Sequence, residues 1–219
     1  MMDKKKAYET AAHTGDGYVR KDDPLILFRG ALDHAQAEII VTQAMLDQEI
    51  LFARSIDPAI EASLKRLQND LQELVDVLRD IMTAEYTGEP LKGIHSDGSG
   101  GTLRLFGLTL DELQEHSHNA EEHYGIPTMT RPDHRYGEVY AHLNLIRTEL
   151  RQVETAAVRL FLQNAAVSSG DDFEAEAPVV PARQDILYVL NRLSSAAHVL
   201  MCRHLSELRP DIAGASYTV

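Results

Sequence analysis

Apolar residues recur at alternating three- and four-residue spacings in four long stretches of the chain, the pattern that places one apolar stripe on one face of a helix. The first stretch, residues 23–49, carries Leu25, Phe28, Leu32, Ala35, Ile39, Thr42 and Leu46, with Pro24 where a first helical turn tolerates it. The second opens at Asp57 and Pro58, a capping residue followed by proline, and runs Ile60, Leu64, Leu67, Leu71, Leu74, Leu78, Ile81. The third, residues 134–165, contains no proline and presents Leu143, Ile146, Leu150, Val153, Ala157 and Leu160. At about 1.5 Å per residue it spans more than about 40 Å. The fourth, residues 182–208, carries Ile186, Leu190, Leu193, Ala197, Leu200 and His204 and stops before Pro210. Each stripe can be hidden only against the others, so the pattern predicts an all-α fold, a bundle of four to five helices. The fifth is a short helix over residues 110–118, capped by Thr109.

Between these stretches, residues 87–101 hold glycines, a proline and little to bury, and read as a mobile loop. Residues 168–181 are acidic and bounded by proline, a composition that predicts poor order. No internal repeat is present. With 219 residues, 44% of them apolar, one core accounts for the chain. The expected organisation is an N-terminal arm (1–22), a helical bundle (23–208) and a C-terminal tail (209–219).

Charge narrows the partners. Lysine and arginine number 21 against 34 aspartates and glutamates, and the resulting net charge of −13 repels nucleic acid and anionic lipid at long range. A few arginines gathered in one cleft would still bind a small anion. No run approaches the roughly 18 to 20 apolar residues of a membrane span, and the opening MMDKKKAYET has no apolar core after its lysines, so a cytoplasmic protein is expected. Cys202 is the only cysteine, which rules out an internal disulfide and a thiolate metal cage.

On the third helix Asn144, Arg147, Arg151 and Glu154 follow one another at spacings of three, four and three beside the apolar stripe. Arginines four apart repel by a few tenths of a kcal/mol on an isolated helix, so something anionic should offset them. A triphosphate would do so, and so would ordinary ion pairs, Arg151 with Glu154 among them. The fourth helix has a comparable flank of Asn191, Ser194 and His198. On the first helix Arg29 and Asp33 stand four apart, which suits an intrahelical salt bridge or a link from Asp33 to an arginine elsewhere. Ahead of it lie His13, Thr14, Gly15, Asp16 and Gly17, then Lys21, where glycine allows close approach to phosphate and lysine supplies a point charge. No Walker sequence follows, and such turns are common in plain loops. Of the ten histidines, His116, His118, His123 and His134 lie close in sequence, and Glu115 with His118 has a metal-ligand spacing. A di-iron bundle needs two such pairs on long facing helices, so no metal site is expected there. His204, on an apolar stripe, reads as a hydrogen-bonded residue at the core's edge.

The stretch HLNLIRTELRQVETAAVRLF followed by DILYVLNRLSSAAHVLM resembles the paired signature of the corrinoid adenosyltransferases: Arg147, Thr148, Arg151 and Glu154 on one helix, Asn191, Arg192, Leu193 and Ser194 on the next. KDDP, FRGALD, IMTAEYTGEPL and FGLTLDELQEHSH extend the likeness toward the ethanolamine-utilisation branch, in order over most of residues 21–201. The sequence departs from that branch in lacking a cysteine-rich metal motif, so that site is not expected. Of the longer ATP loop of the propanediol-utilisation branch only Thr14, Gly15 and Asp16 are recognisable.

The resemblance implies an enzyme that moves the 5′-deoxyadenosyl group of ATP to the cobalt of cob(I)alamin and releases triphosphate. Arg147 and Arg151 would clamp the triphosphate. Glu154, Asn191 and Asn144 would hold nucleotide or orient the arginines, Lys21 and Asp16 would contact ATP, and Mg²⁺ would neutralise the remaining phosphate charge. It implies a site built between subunits of a homo-oligomer, a trimer favoured, with Asp33 of one chain reaching Arg147 of another. It also implies a reducing flavoprotein partner and an apolar lid over the corrinoid, for which Tyr124 is the candidate. The competing reading is a bundle that binds corrinoid or scaffolds without turnover.

Overall fold

Two aspartate–proline steps start the two longest helices of the computed structural model, which describes residues 5–11, 17–127, 130–163 and 182–208. Asp23 accepts the Leu25 N–H at the head of α1 (Pro24–Ala53), and Asp57 accepts the Ala59 N–H at the head of α2 (Pro58–Thr87). α2 stops at Gly88, whose φ of 74° lies in the left-handed region that glycine enters without steric cost. Two short hairpins flank these helices. β1 (Glu9–Ala11) pairs with β2 (Tyr18–Arg20), and β3 (Arg104–Leu105) with β4 (Leu108–Thr109). α3 (Leu110–His118) begins with a reciprocal capping box between Thr109 and Glu112, as the Thr109 expectation required, and α4 (Ala120–Tyr124) follows across Asn119. After a 3-10 turn at His134–Tyr136 come α5 (Glu138–Val158), which continues as a π-helical turn over Arg159–Gln163, and α6 (Gln184–Leu208).

α1 packs on α2 and α5, and α6 on α5 and α2, so the four long helices close a ring around one core, with α3 laid along α6. The apolar stripes face inward: Phe28, Leu32 and Ile39 from α1, Leu71, Leu74 and Leu78 from α2, Leu143, Ile146 and Leu150 from α5, and Leu190, Leu193 and Ala197 from α6 are all fully buried. Phe161 meets Phe28 edge-on at 5.6 Å between ring centres, which ties the π-helical turn to α1. The all-α bundle expected from periodicity is the fold observed.

Three local expectations are corrected. The third long helix starts at Glu138 rather than near residue 134, because Gly137, at φ 93°, separates it from the 3-10 turn. Ile60 sits in the first turn of α2 and is 38% exposed, so burial on that helix begins with Ser63 and Leu64. The loop after α2 is not empty of core residues: Leu91 and Ile94 are buried, and the backbone doubles back so closely that a Cβ at Gly101 would lie 2.0 Å from the Gly93 carbonyl oxygen. The acidic stretch 168–181 lies outside the described residues, as do Asp16 and the tail 209–219.

Ion pairs join the helices at the rim. Arg29 reaches Glu85 of α2 at 2.7 Å rather than Asp33 on its own helix, and Arg203 of α6 reaches Asp70 of α2 at 3.0 Å. Burial pushes the Asp70 carboxyl up to about 6, and the Arg203 charge reverses only part of that. The native state therefore holds this proton more tightly than the unfolded chain does. Stability from this group is fully present below about pH 4 and is lost as pH rises through about 6. Asp70→Asn is expected to remove that part of the slope in Tm against pH. An unchanged profile would mean that Arg203 keeps the carboxylate ionised throughout.

Candidate functional site

The spacing that buries Leu143, Ile146, Leu150 and Val153 of α5 leaves Asn144, Arg147 and Arg151 on its flank, directed along the groove between α5 and α6. Arg147, Arg151 and the buried Tyr140 of α5 line a cleft of about 570 Å³, a size suited to a small-molecule ligand. α6 contributes Ser194, Ser195, His198 and Met201. Ser117 and His118 at the end of α3, and Thr130, Arg131 and Pro132 from the connection before α5, complete the wall.

Electrostatics set the character of this cleft. Among the described residues no carboxylate lines it, and Arg131, Arg147 and Arg151 form no ion pair. Asp133 is bound by Arg135 at 2.9 Å, and Arg131 has no carboxylate partner among the described residues. Arg147 is half-buried, and its guanidinium donates to the Asn144 side-chain oxygen at 3.2 and 3.4 Å. Burial, then the charge of Arg151, pulls the Arg147 pKa below the usual arginine value, a sign that the positive charge lacks a counter-ion. His198 has its Nδ1 3.0 Å from the Ser117 hydroxyl, and burial followed by the Arg147 charge lowers its pKa below the usual imidazole value. It is thus neutral at pH 7 and adds hydrogen-bonding capacity without further charge. Cys202 lies under His198, buried, with its thiol pushed up to about 12, so it remains an unreactive thiol. In a chain of net charge −13, three uncompensated guanidiniums around one cleft form a local anion trap.

The residues singled out in the sequence fall into three groups. Arg147 and Arg151 line the cleft, and Asn144 stands behind Arg147 and aims it. One turn farther along, Glu154 accepts from Asn191 at 2.8 Å across the α5–α6 groove, and Arg192 donates to Asn191 in turn. Arg151 and Glu154 do not pair. Asp33, Lys21 and Tyr124 lie outside the cleft lining: Asp33 is exposed on α1, Lys21 is exposed after β2 with its N–H donating to the Tyr8 carbonyl, and Tyr124 packs with His116. The segment after Tyr124 supplies Thr130, Arg131 and Pro132 instead.

Sequence reasoning did not find Ser117, Arg131, Tyr140, Ser195 or Met201, and it weighed His118 only as a metal ligand. Their common property is position at one end of the groove, which no periodicity reports. Arg131 left one trace, since a third arginine lies close to a single aspartate that Arg135 already claims.

The profile of the cobalamin adenosyltransferase family matches residues 3–204. The corrinoid adenosyltransferase EutT of Salmonella typhimurium is 32% identical over 197 residues, which cover 90% of this chain and 59% of that protein. The corrinoid adenosyltransferase EutT of Escherichia coli K12 is 30% identical over 197 residues with the same coverage. The chain therefore spans 59% of the length of these curated relatives. No solved structure gives a significant match.

Proposed function

Because the chain belongs to the cobalamin adenosyltransferase family, we propose that it transfers the 5′-deoxyadenosyl group from ATP to the cobalt of cob(I)alamin. The observation that carries this reading is the pair Arg147 and Arg151, two guanidiniums on the wall of one cleft with no carboxylate partner among the described residues. In the reaction the electron pair of Co(I) attacks C5′ of ATP. The Co–C bond forms, the C5′–O bond breaks, and its electrons leave on triphosphate. No side-chain nucleophile or proton transfer is required. What the reaction asks of a protein is positioning and stabilisation of the negative charge gathering on the leaving phosphates.

Arg147 and Arg151 suit that task, since planar guanidinium forks match phosphate oxygens. Asn144 keeps Arg147 aimed, and Arg131 supplies a third cation from the connection before α5. Glu154 and Asn191 fix the spacing of α5 and α6 beside the arginines. Mg²⁺ on the triphosphate, as MgATP, would neutralise the remaining phosphate charge. Neutral His198 and Ser117 offer hydrogen bonds to the nucleotide without adding charge.

Asp33, exposed on α1, enters this scheme through a second copy of the chain, and Lys21 would contact the phosphates. A homo-oligomer, a trimer in the favoured form, would carry exposed Asp33 of one subunit to Arg147 of the next. α1 also exposes Leu27, Ile40 and Val41, apolar surface suited to such a contact. Work in the cytoplasm beside a flavoprotein that reduces the corrinoid completes the reading.

An anaerobic assay of chemically reduced cob(I)alamin with MgATP, followed by the absorbance of the product, tests it. Adenosylcobalamin formation is the expected result. Binding of both substrates without formation would replace the transferase with a corrinoid carrier, and no binding of either would end the proposal.

A further inference from the structure

We propose that Glu115, His116 and His123 form a binding site for a divalent metal ion of the zinc type, separate from the arginine cleft and independent of the function assigned to it. The three residues come from two helices. Glu115 and His116 occupy the last turn of α3, and His123 lies on α4, brought back over them by the change of direction at Asn119. Their candidate ligand atoms all lie within 4.8 Å of one another. His123 Nε2 is 3.0 and 3.1 Å from the two carboxylate oxygens of Glu115, and His116 Nε2 is 3.9 Å from the nearer one. Two imidazoles and one carboxylate are a donor set that favours zinc and its first-row neighbours over magnesium or calcium.

The surroundings are those of a built site. The His116 ring is fixed from behind, with Nδ1 2.8 Å from the Tyr124 hydroxyl. When that Nδ1–H donates to Tyr124, the lone pair sits on Nε2, facing Glu115. An outer partner on the far nitrogen is how metal-binding histidines are commonly oriented. Asn119 donates to one Glu115 oxygen at 2.8 Å and holds the carboxylate in place. The side chains of His116 and His123 are 22% and 26% exposed and that of Glu115 49%, so the site is open to an entering ion. The two rings stack at 3.6 Å between centres and 9° from parallel. In that arrangement the two rings lie nearly parallel, so binding requires one of them to tilt until both lone pairs converge on the ion. This set differs from the pairing legible in the sequence: His118 turns to the cleft, and the His134 side chain is 94% exposed. The expectation that these histidines hold no metal is set aside on that geometry.

An ion here would brace the α3–α4 corner. Ser117, next to His116, bonds His198 in the cleft, so the brace would steady that wall. Titration calorimetry of the chelator-treated full chain with zinc chloride is expected to show about one tight site per chain. His123→Ala should weaken it at least about tenfold, and Tyr124→Phe by about tenfold through loss of the outer partner. His134→Ala should leave it unchanged. Cobalt(II) added in place of zinc should give visible absorption that disappears in Glu115→Gln, which keeps the shape of the side chain. Melting curves of each variant in metal-free buffer separate loss of ligand from loss of fold. Absence of a stoichiometric site in the wild-type chain, or equal zinc affinity in His123→Ala and wild type, would overturn the proposal and leave Glu115 and His123 as an ordinary ion pair.

Discussion

Arg147→Ala is expected to lower the rate of adenosyl transfer by about 10²- to 10³-fold, the usual consequence of removing one fixed donor from a developing negative charge. Arg147 should matter more than Arg151 because it is half-buried, aimed by Asn144 and already depressed in pKa for want of a counter-ion, whereas Arg151 is exposed to water. A charge waiting in a desolvated wall costs little reorganisation when the phosphates gather charge. Most of the effect should therefore fall on kcat, with a smaller change in KM for ATP, since the interaction strengthens as the C5′–O bond breaks. Arg147→Lys keeps a charge but loses the fork and the Asn144 contact, and should fall between the two. Rates measured anaerobically on variants whose melting temperatures match the wild type decide the matter. A decrease of less than about tenfold in Arg147→Ala would remove this residue from the clamp.

Asp185→Ala should be the most destabilising single change outside the apolar core. Asp185 is 2% exposed and accepts the Leu91 N–H at 2.8 Å, which pins the loop after α2 to the head of α6. It also receives Arg183 at 2.8 and 2.9 Å, and Arg183 in turn donates to the carbonyls of Ala84 and Glu89 at the end of α2. Removing the carboxylate leaves the Arg183 guanidinium, still held by those two carbonyls, without its counter-ion and the buried Leu91 N–H without an acceptor, a loss of about 3 to 5 kcal/mol. In a chain of this size that is roughly 6 to 20 °C in Tm. Asp185→Asn retains an acceptor for Leu91 and should lose less. Burial alone would raise the Asp185 pKa, but the Arg183 hydrogen bond, the Leu91 N–H and the Arg183 charge outweigh it and hold it below the usual aspartate value. The stabilisation is thus present above about pH 4 and disappears as pH falls below it. Thermal melts at pH 7 and pH 3.5 provide the check. A shift of no more than a degree or two in Asp185→Ala at pH 7 would show that the loop is held by Leu91 and Ile94 burial alone.

Much of the bundle was legible because its rules are local. A helix with one apolar stripe must bury that stripe, and the residues that cap it lie within three positions of its start, as Asp23, Asp57 and Thr109 do. The arginine pair was legible for the same reason, since four residues make one turn and place Arg147 and Arg151 on one flank. Where local rules ended, expectation failed in specific ways. Arg29 had Asp33 within reach on its own helix but bonds Glu85, 56 positions away, because the rotation of α2 against α1 presents that carboxylate. The loop after α2 had the composition of a solvated turn, yet Leu91 is held by Asp185 from 94 positions away. Ser117 meets His198 across 81 positions.

The helices, the faces they bury and the cationic flank of α5 thus follow from local sequence, since each depends only on neighbours within a turn or two. What faces that flank, which loop is locked to α6, and the convergence of Glu115, His116 and His123 emerge only in the folded chain. Those outcomes depend on how whole helices rotate and where connections turn, and these are settled by packing across the entire core rather than by any short stretch of chain.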